Sequence, residues 1–406
     1  MLSKTQSHTL SSKRAPFYGA MLLKKLPFNQ LNVGSLTVKI GEHQHRFNGQ
    51  QAGVHADLIL LKPLTFMWLL VTQGELGFAK AYANGLIETS NLHSLLKLGA
   101  DNETALARTL KGHSWFYKRL LKRHQANHNS IENSRENISA HYDLGNDFYQ
   151  LWLDSSMSYS SALFKHPEQD LTEAQVLKYQ RILHALDFEE GEHILEIGCG
   201  WGGFAEQAAR QGAKISGITL SREQLEFAKH RLRDAGLDHQ ACLSLTDYRH
   251  QDGQFDHIVS IEMFEAVGKE YWNDYFEQLK RCLKPGGKAV LQIITIDEDY
   301  ADAYQNGVDF IQTYIFPGGL LPSKTQLHEL AQAHGFNVTN ELAFGQDYAD
   351  TLNLWRQRFD QQRPALEKLG YDARFQRIWH YYLDYCRVGF ETQRTDVVQI
   401  TLEHAL

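Results

Sequence analysis

The chain has 406 residues, 43% of them hydrophobic, with a formal net charge of −7 and a mean hydropathy of −0.42. That length suits two domains, and the composition is ordinary for a soluble globular protein. The most apolar stretch, Leu58 to Val71, is broken by Lys62 and Pro63 and is too short to span a bilayer. No apolar leader core follows the basic N-terminus, and the four cysteines are widely spaced. Reduced thiols and a cytoplasmic location are expected.

Residues 1–30 read as peripheral. No Asp or Glu precedes Glu42, whereas Lys4, Lys13, Arg14, Lys24, Lys25 and Lys39 do. Residues 31–61 alternate apolar and polar (Leu36, Val38, Ile40, then Phe47), which predicts a β-hairpin with a further strand near Ala56 to Leu61. Phe66 to Leu70, Leu76 to Tyr82 and Leu92 to Leu98 read as short helices. A second acid-free basic stretch, Thr104 to Ile131, interleaves Arg108, Lys111, Lys118, Arg119, Lys122 and Arg123 with Trp115, Phe116 and Tyr117. It suits either a solvated helix face or an amphipathic helix resting on anionic lipid, and nucleic acid ranks below lipid because no nucleic-acid module is present. Residues 124–139 are polar and unpatterned, a linker; His124 and His128 have no third ligand nearby, so no metal site is expected. His141 to Tyr149 and Met157 to Ala162 are rich in aromatics and hydroxyls and suit a segment that folds over a ligand and excludes water.

Residues 193–209, HILEIGCGWGGFAEQAA, read as buried strand, glycine turn and helix, the opening of a nucleotide-type α/β domain. A dinucleotide site wants an acid roughly 20 residues on, but Gly217-Ile218-Thr219-Leu220-Ser221 offers none, and no Gly-Lys-Ser/Thr phosphate loop occurs. Glu196, at the strand end, repels a pyrophosphate but suits the cationic amino-acid end of S-adenosylmethionine. Strands at Lys214–Thr219, Ala241–Leu245, Phe255–Ile261 and Lys288–Ile296 alternate with helices, one starting at Ser221 with a Ser-x-x-Gln capping box to Gln224. This predicts a parallel sheet with helices on both faces and a ligand at the carboxyl ends, where Glu196, Thr219, Asp247 and Glu265 fall. Residues 297–322 read as a long loop, helices follow about Thr325–His334, Ala349–Gln362 and Ala373–Phe390, a strand lies near Phe336–Phe344, and Val397–Leu402 reads as a closing edge strand.

With HYDLGNDFY, YSSA, LEIGCGWGG, GITLSREQ, DYR, MFEAVG, FPGG and DYADTL in one order, the sequence resembles the cyclopropane-fatty-acyl-phospholipid synthases and the related mycolic acid cyclopropane synthases. The match is good over roughly 135–402 and looser before that. It implies a class I methyltransferase with a Rossmann-like, mostly parallel sheet and helical insertions, plus a small N-terminal α+β domain. The expected domains are a lipid-associating unit over 1–123, the linker 124–139 and the methyltransferase over 140–406. For the cofactor S-adenosylmethionine, the resemblance implies Tyr159 and Ser160 at the amino-acid end, where the strand-end reading already sets Glu196, with Gly198, Gly200 and Gly202 beneath it, Thr219 and Gln224 on the ribose, and Asp247 with Tyr248 at the adenine.

The family reaction is methyl transfer to a cis double bond of a phospholipid acyl chain, after which a bound bicarbonate takes a proton from the new methyl as the ring closes. By position Glu265, Tyr348, Ile294, Gln292 and Ser161 would line that anion site. Ser161 stands where the family usually has Cys, Gln292 where it has His, and Ala266 where another His is common. Gln292 cannot shuttle a proton as imidazole does, so a methyl-branched or methylene product, or an impaired lipid-binding homologue, stands beside the ring-forming reading. A soluble small-molecule substrate is a further alternative, opposed by the basic N-terminal stretches. The family also has a proposed thiol where Cys386 lies; a core residue is the competing reading. The expected partner is a phospholipid membrane surface, peripherally bound, with a homodimer as a further option and no nucleic acid.

Overall fold

The computed structural model describes Leu23, residues 26–110 and residues 144–404. The chain divides into two compact units, Met1–Phe116 and Tyr117–Leu406. The linker expected over 124–139, the histidines in it and most of the basic-aromatic stretch lie outside the described residues.

In the first unit β1 (Val33–Ile40) pairs antiparallel with β2 (His43–Asn48) and parallel with β3 (Gln51–Leu60), giving the sheet order β2-β1-β3-β4 with β4 at Ile87–Glu88. The two short helices expected near Phe66 and Leu76 are halves of α1 (Pro63–Ala83), broken at Gly74 (φ 57°, ψ −129°). Helices α2 (Leu92–Asp101) and α3 (Glu103–Leu110) follow. Between them Asn102, buried, accepts from the backbone N–H of Asn32 and Val33 and donates to the Val33 carbonyl, pinning the start of β1. Leu26 and Phe28, expected to be peripheral, are buried instead.

The second unit runs α4 (Asn146–Gln150), α5 (Leu171–Leu186), β5 (His193–Ile197), α6 (Gly203–Arg210), β6 (Lys214–Thr219), α7 (Arg222–Asp234), β7 (Ala241–Leu245), β8 (Phe255–Ile261), α8 (Trp272–Cys282), β9 (Leu283–Ile296), α9 (Glu298–Gln305), α10 (Phe310–Tyr314), α11 (Lys324–Ala333), β10 (Phe336–Ala343), α12 (Gly345–Gln361), α13 (Arg363–Lys368), α14 (Ala373–Glu391) and β11 (Thr395–His404). Its seven strands lie in the order β10-β11-β9-β8-β5-β6-β7. The run from β9 to β7 is parallel and β10 and β11 are antiparallel, so the expected α/β sheet is present. β11 is not an edge strand as expected: it inserts between β9 and β10, and its core positions Val397, Val398, Ile400 and Leu402 are buried on both faces. Nor is 297–322 an open loop; the acidic caps Asp297 and Asp309 each start a helix within it.

Alternation along the strands builds two cores. Leu195 and Ile197 of β5 pack with Ile258, Leu291 and the aromatic face of α8. Ile194 faces the opposite side with Val259, Val290 and the helices α5, α6 and α7. Side chains two apart share a face, so Glu196 points to the α5 side. Strand order reverses between β5 and β8, each paired to different successors, and this switch point opens the crevice for a ligand.

Candidate active site

At the end of β5 the backbone N–H groups of Gly198 and Cys199 both donate to the Ile218 carbonyl at 2.9 Å, which locks the turn onto β6. Gly202 (φ +80°) caps α6, and a Cβ there would lie 3.0 Å from the Ala228 Cβ. Gly200 (φ +50°) differs: a Cβ would meet nothing within 4 Å. The turn is therefore closed on its helix side and open on the side where a ligand approaches.

Glu196 is buried, and its Oε2 has no hydrogen-bond partner among the described residues. Burial raises its carboxyl to about 8, against the pull of nearby Lys178. A buried acceptor of this kind fits a cationic ligand group. Thr219 donates to Gln224 Oε1 at 3.0 Å and accepts from the Ser221 N–H. Only half of the expected capping box forms, because Ser221 Oγ accepts from the Gln224 N–H while the Gln224 side chain turns to Thr219. Asp247, expected at an adenine, follows β7 and has its carboxylate engaged by Arg249. Burial pushes its carboxyl up, but Arg249 outweighs that and holds it below the usual range, through bonds of 2.9 Å to Oδ1 and 2.7 Å to Oδ2. Tyr248 packs edge-on to Tyr275, its hydroxyl without a hydrogen-bond partner among the described residues.

The segment expected to fold over the ligand does reach the glycine turn. Trp201 Nε1 donates to Asn146 Oδ1 at 2.7 Å, and Arg231 Nη1 bonds the carbonyls of both Ser156 and Trp201. Tyr159 sits among Tyr149, Trp152 and Trp355 at ring separations of 5.4–5.6 Å, and its hydroxyl meets that of Tyr382. Ser160 accepts from Lys178 Nζ at 2.6 Å.

The residues expected around a bound anion come together, but on a carboxylate of the chain itself. Glu262, not singled out from the sequence, accepts from the Ser161 N–H (2.8 Å) and Gln292 Nε2 (2.7 Å) at Oε1, and from the Tyr348 hydroxyl (2.6 Å) at Oε2. Its backbone is held at φ +49°, a strained conformation for a residue with a Cβ and one that tends to be kept at functional sites. Ser161 Oγ donates to the Ala162 carbonyl instead of facing the site. Gln292 Oε1 accepts from Gln399, which orients its amide toward Glu262. Burial raises the Glu262 carboxyl; Tyr348, Lys178, Ser161 and Gln292 counter it.

Glu265 lies one turn on. Its Oε1 accepts from the Ile294 N–H, and Oε2 is buried without a partner among the described residues. Burial first, then the Glu262 charge, pushes Glu265 to about 8, so Glu265 keeps its proton near pH 7. The Phe316–Leu320 turn covers it, Leu320 N–H donating to the Glu265 carbonyl. Met263, between the two acids, packs within 3.0 Å of where a Gly198 Cβ would stand, which joins acid pair and glycine turn in one site. Cys386 is half-buried; burial and then Asp309 push its thiol far up, and it is held as a thiol. Among the described residues no cluster of His, Cys, Asp and Glu suits a metal ion.

Two signals for the missed residues were present in the sequence. Glu262 is an acid at the carboxyl end of a core strand, and Lys178 is a cation that, with Gln175, interrupts the mostly apolar stripe Ala174, Tyr179, Ile182, Leu183 and Leu186 of α5.

Comparison with known proteins agrees with this geometry. The family model described as mycolic acid cyclopropane synthetase matches residues 129–400. The chain is 42% identical over 281 residues to the tuberculostearic acid methyltransferase UfaA1 of Mycobacterium tuberculosis, covering 67% of this chain and 66% of that one. It is 33% identical over 356 residues to the cyclopropane-fatty-acyl-phospholipid synthase of Escherichia coli, covering 86% and 88%. The structure of mycolic acid cyclopropane synthase CmaA1 complexed with SAH and CTAB superposes with a TM-score of 0.62 at 32% identity, over 66% of this chain and 97% of that one. With its switch-point glycine turn and acid pair, the chain belongs to the mycolic acid cyclopropane synthetase family and is an S-adenosylmethionine-dependent methyltransferase.

Proposed function

We propose that this protein methylates a cis double bond within a fatty acyl chain of a membrane phospholipid, and that Glu262 takes the place of the family's bicarbonate as base. The single observation that carries the base assignment is the convergence of Ser161 N–H, Gln292 and Tyr348 on the Glu262 carboxylate. These are the positions that the resemblance assigns to the anion site, and Glu262 fills it.

When bound, the donor supplies an electrophilic methyl. The chain's own residues do the rest. Tyr159, backed by the fully buried Trp152 and Trp355, offers a ring that favours positive charge and helps exclude water. Carbon–carbon bond formation consumes the alkene π pair and leaves a cation on the neighbouring carbon. Glu262 then accepts a proton from the transferred methyl, and the freed C–H pair closes the ring. Glu265, neutral and anchored on the Ile294 N–H, keeps the second negative charge out of the site.

A second product has support of its own. A hydride shift before proton loss places the cation on the methyl-bearing carbon, and the same deprotonation then gives a methylene branch on the acyl chain. The identity to UfaA1, named for a methyl-branched acid, exceeds that to the cyclopropane synthases.

Access to acyl chains implies peripheral binding to a membrane. Among the described residues no helix is long and apolar enough to cross one. Leu61, Leu64, Trp68 and Val71, spaced along one side of α1 and its approach, are 47%, 71%, 54% and 53% exposed, more than a solvated helix needs. The test is incubation of the purified protein with methyl-labelled donor and vesicles of unsaturated phospholipid. Labelled lipid is expected, with hydrogenation and fragmentation separating ring from methylene; label confined to a small amine or phenol rejects the reading.

A further inference from the structure

We propose that Lys178 is a donor-positioning residue: buried beneath Ser160, it turns that hydroxyl into a hydrogen-bond donor for the carboxylate of the methionine moiety. The inference rests on the methyl-donor reading of the glycine turn and is independent of the acyl substrate.

Lys178 is fully buried in α5. Its Nζ donates to Ser160 Oγ at 2.6 Å and to Gln175 Oε1 at 2.5 Å, while Gln175 Nε2 donates to the Ser160 carbonyl at 2.9 Å. Side chain and backbone of Ser160 are thus gripped from below by one lysine–glutamine pair. An ammonium can only donate, so Ser160 Oγ must accept from it, and a hydroxyl has a single proton left to give. Among the described residues no protein group accepts that proton. The segment carrying Ser160 lies against the glycine turn, since Ser156 O is 3.3 Å from where a Gly203 Cβ would stand and shares Arg231 with the Trp201 carbonyl. The hydroxyl therefore serves an anionic acceptor above the turn.

Charge argues the same way. Burial disfavours the Lys178 ammonium, and Glu262, Asp154 and Glu196 each act against that, so the buried cation sits among the acids that flank the site. A fully buried lysine with neutral hydrogen-bond partners is costly unless such charges surround it. Placed here, it makes the potential at Ser160 suitable for a carboxylate beside the acceptor Glu196, which suits an ammonium. The two ends of a zwitterionic amino acid are told apart.

The test is calorimetric binding of S-adenosylhomocysteine and of 5′-methylthioadenosine, which lacks the amino-acid end, to the wild-type chain, Lys178→Met, Ser160→Ala and the double variant. Loss of a hydrogen bond to a charged group predicts that each single variant binds S-adenosylhomocysteine about ten- to a hundredfold more weakly. Binding of 5′-methylthioadenosine is expected to stay within about twofold, and the double variant to be no weaker than the worse single one. Equal weakening of both ligands, or unchanged S-adenosylhomocysteine binding, overturns the proposal. Should Lys178→Met fail to fold, Ser160→Ala alone carries the same selective prediction. A wild-type chain that binds neither ligand instead defeats the donor reading.

Discussion

Replacing Glu262 by Gln removes the ability to accept a proton while keeping shape. In the native site two donors, Ser161 N–H and Gln292 Nε2, share Oε1, and Tyr348 takes Oε2. A glutamine carbonyl placed at the Oε1 position keeps the first two, and Tyr348 can accept from the new amide. Folding should therefore change little: weaker hydrogen bonds to a neutral group cost about 1–2 kcal/mol, and relief from burying a charge offsets much of it. Catalysis should change greatly. Loss of a positioned general base lowers rates about 10²- to 10⁴-fold, or about 3–5 kcal/mol of barrier. The assay is single-turnover transfer of labelled methyl to unsaturated phospholipid, with products resolved by mass spectrometry. The variant should give little ring or methylene, with any cation that forms captured by water as a methyl carbinol. Wild-type turnover should not depend on added bicarbonate. A Glu262→Gln enzyme within about threefold of wild type, or a wild type that needs bicarbonate, would refute the assignment.

Other outcomes follow from the same geometry. Glu265 holds its proton up to about pH 8 through burial and the Glu262 charge, whereas the unfolded chain releases it near pH 4.3. Stability should thus fall as pH rises from about 4.3 to 8, and Glu265→Gln should flatten that part of the thermal-unfolding profile; an unchanged slope contradicts the burial argument. Activity of the wild type should also decline above about pH 8, where both acids are charged. In the α12–α14 pair, burial lowers the His380 pKa, but Asp360 and Asp384 outweigh it and raise it overall. Its stabilisation is complete below the unfolded value near 6.5 and is lost as pH rises through the raised one. The melting-temperature gap between wild type and His380→Asn should therefore narrow with rising pH, and a constant gap counts against it. Gly200→Ala should fold with a cost of about 1–2 kcal/mol from its left-handed backbone yet lose S-adenosylhomocysteine binding, since its Cβ enters the open side of the turn. Gly202→Ala, pressed at 3.0 Å against Ala228, should cost more stability by urea titration; equal costs would falsify the closed-side, open-side distinction.

The order of strands and helices was legible in the sequence because it depends on short-range patterns. The run Lys214–Thr219 and the run Phe255–Ile261 are bounded as expected, since a buried strand needs only an apolar stretch and a turn signal. The glycine turn was legible for the same reason: φ values of +86°, +50° and +80° at Gly198, Gly200 and Gly202 can be reached cheaply only by glycine. The place of β11 was not. An apolar strand near the C-terminus reads alike at an edge or between two strands, and pairing with β9 and β10 is a long-range choice.

The Glu262 carboxylate shows the division most clearly. By itself the sequence determined that acids stand at the carboxyl ends of the core strands and that a methyl donor fits beneath them, because strand alternation and backbone freedom are local properties. Only the tertiary structure decided which acid gathers the donors of Ser161, Gln292 and Tyr348. Ser161, Gln292 and Tyr348 lie 101, 30 and 86 residues from Glu262, and a carboxylate gains its chemistry from whatever donors and charges folding brings within about 3 Å of it.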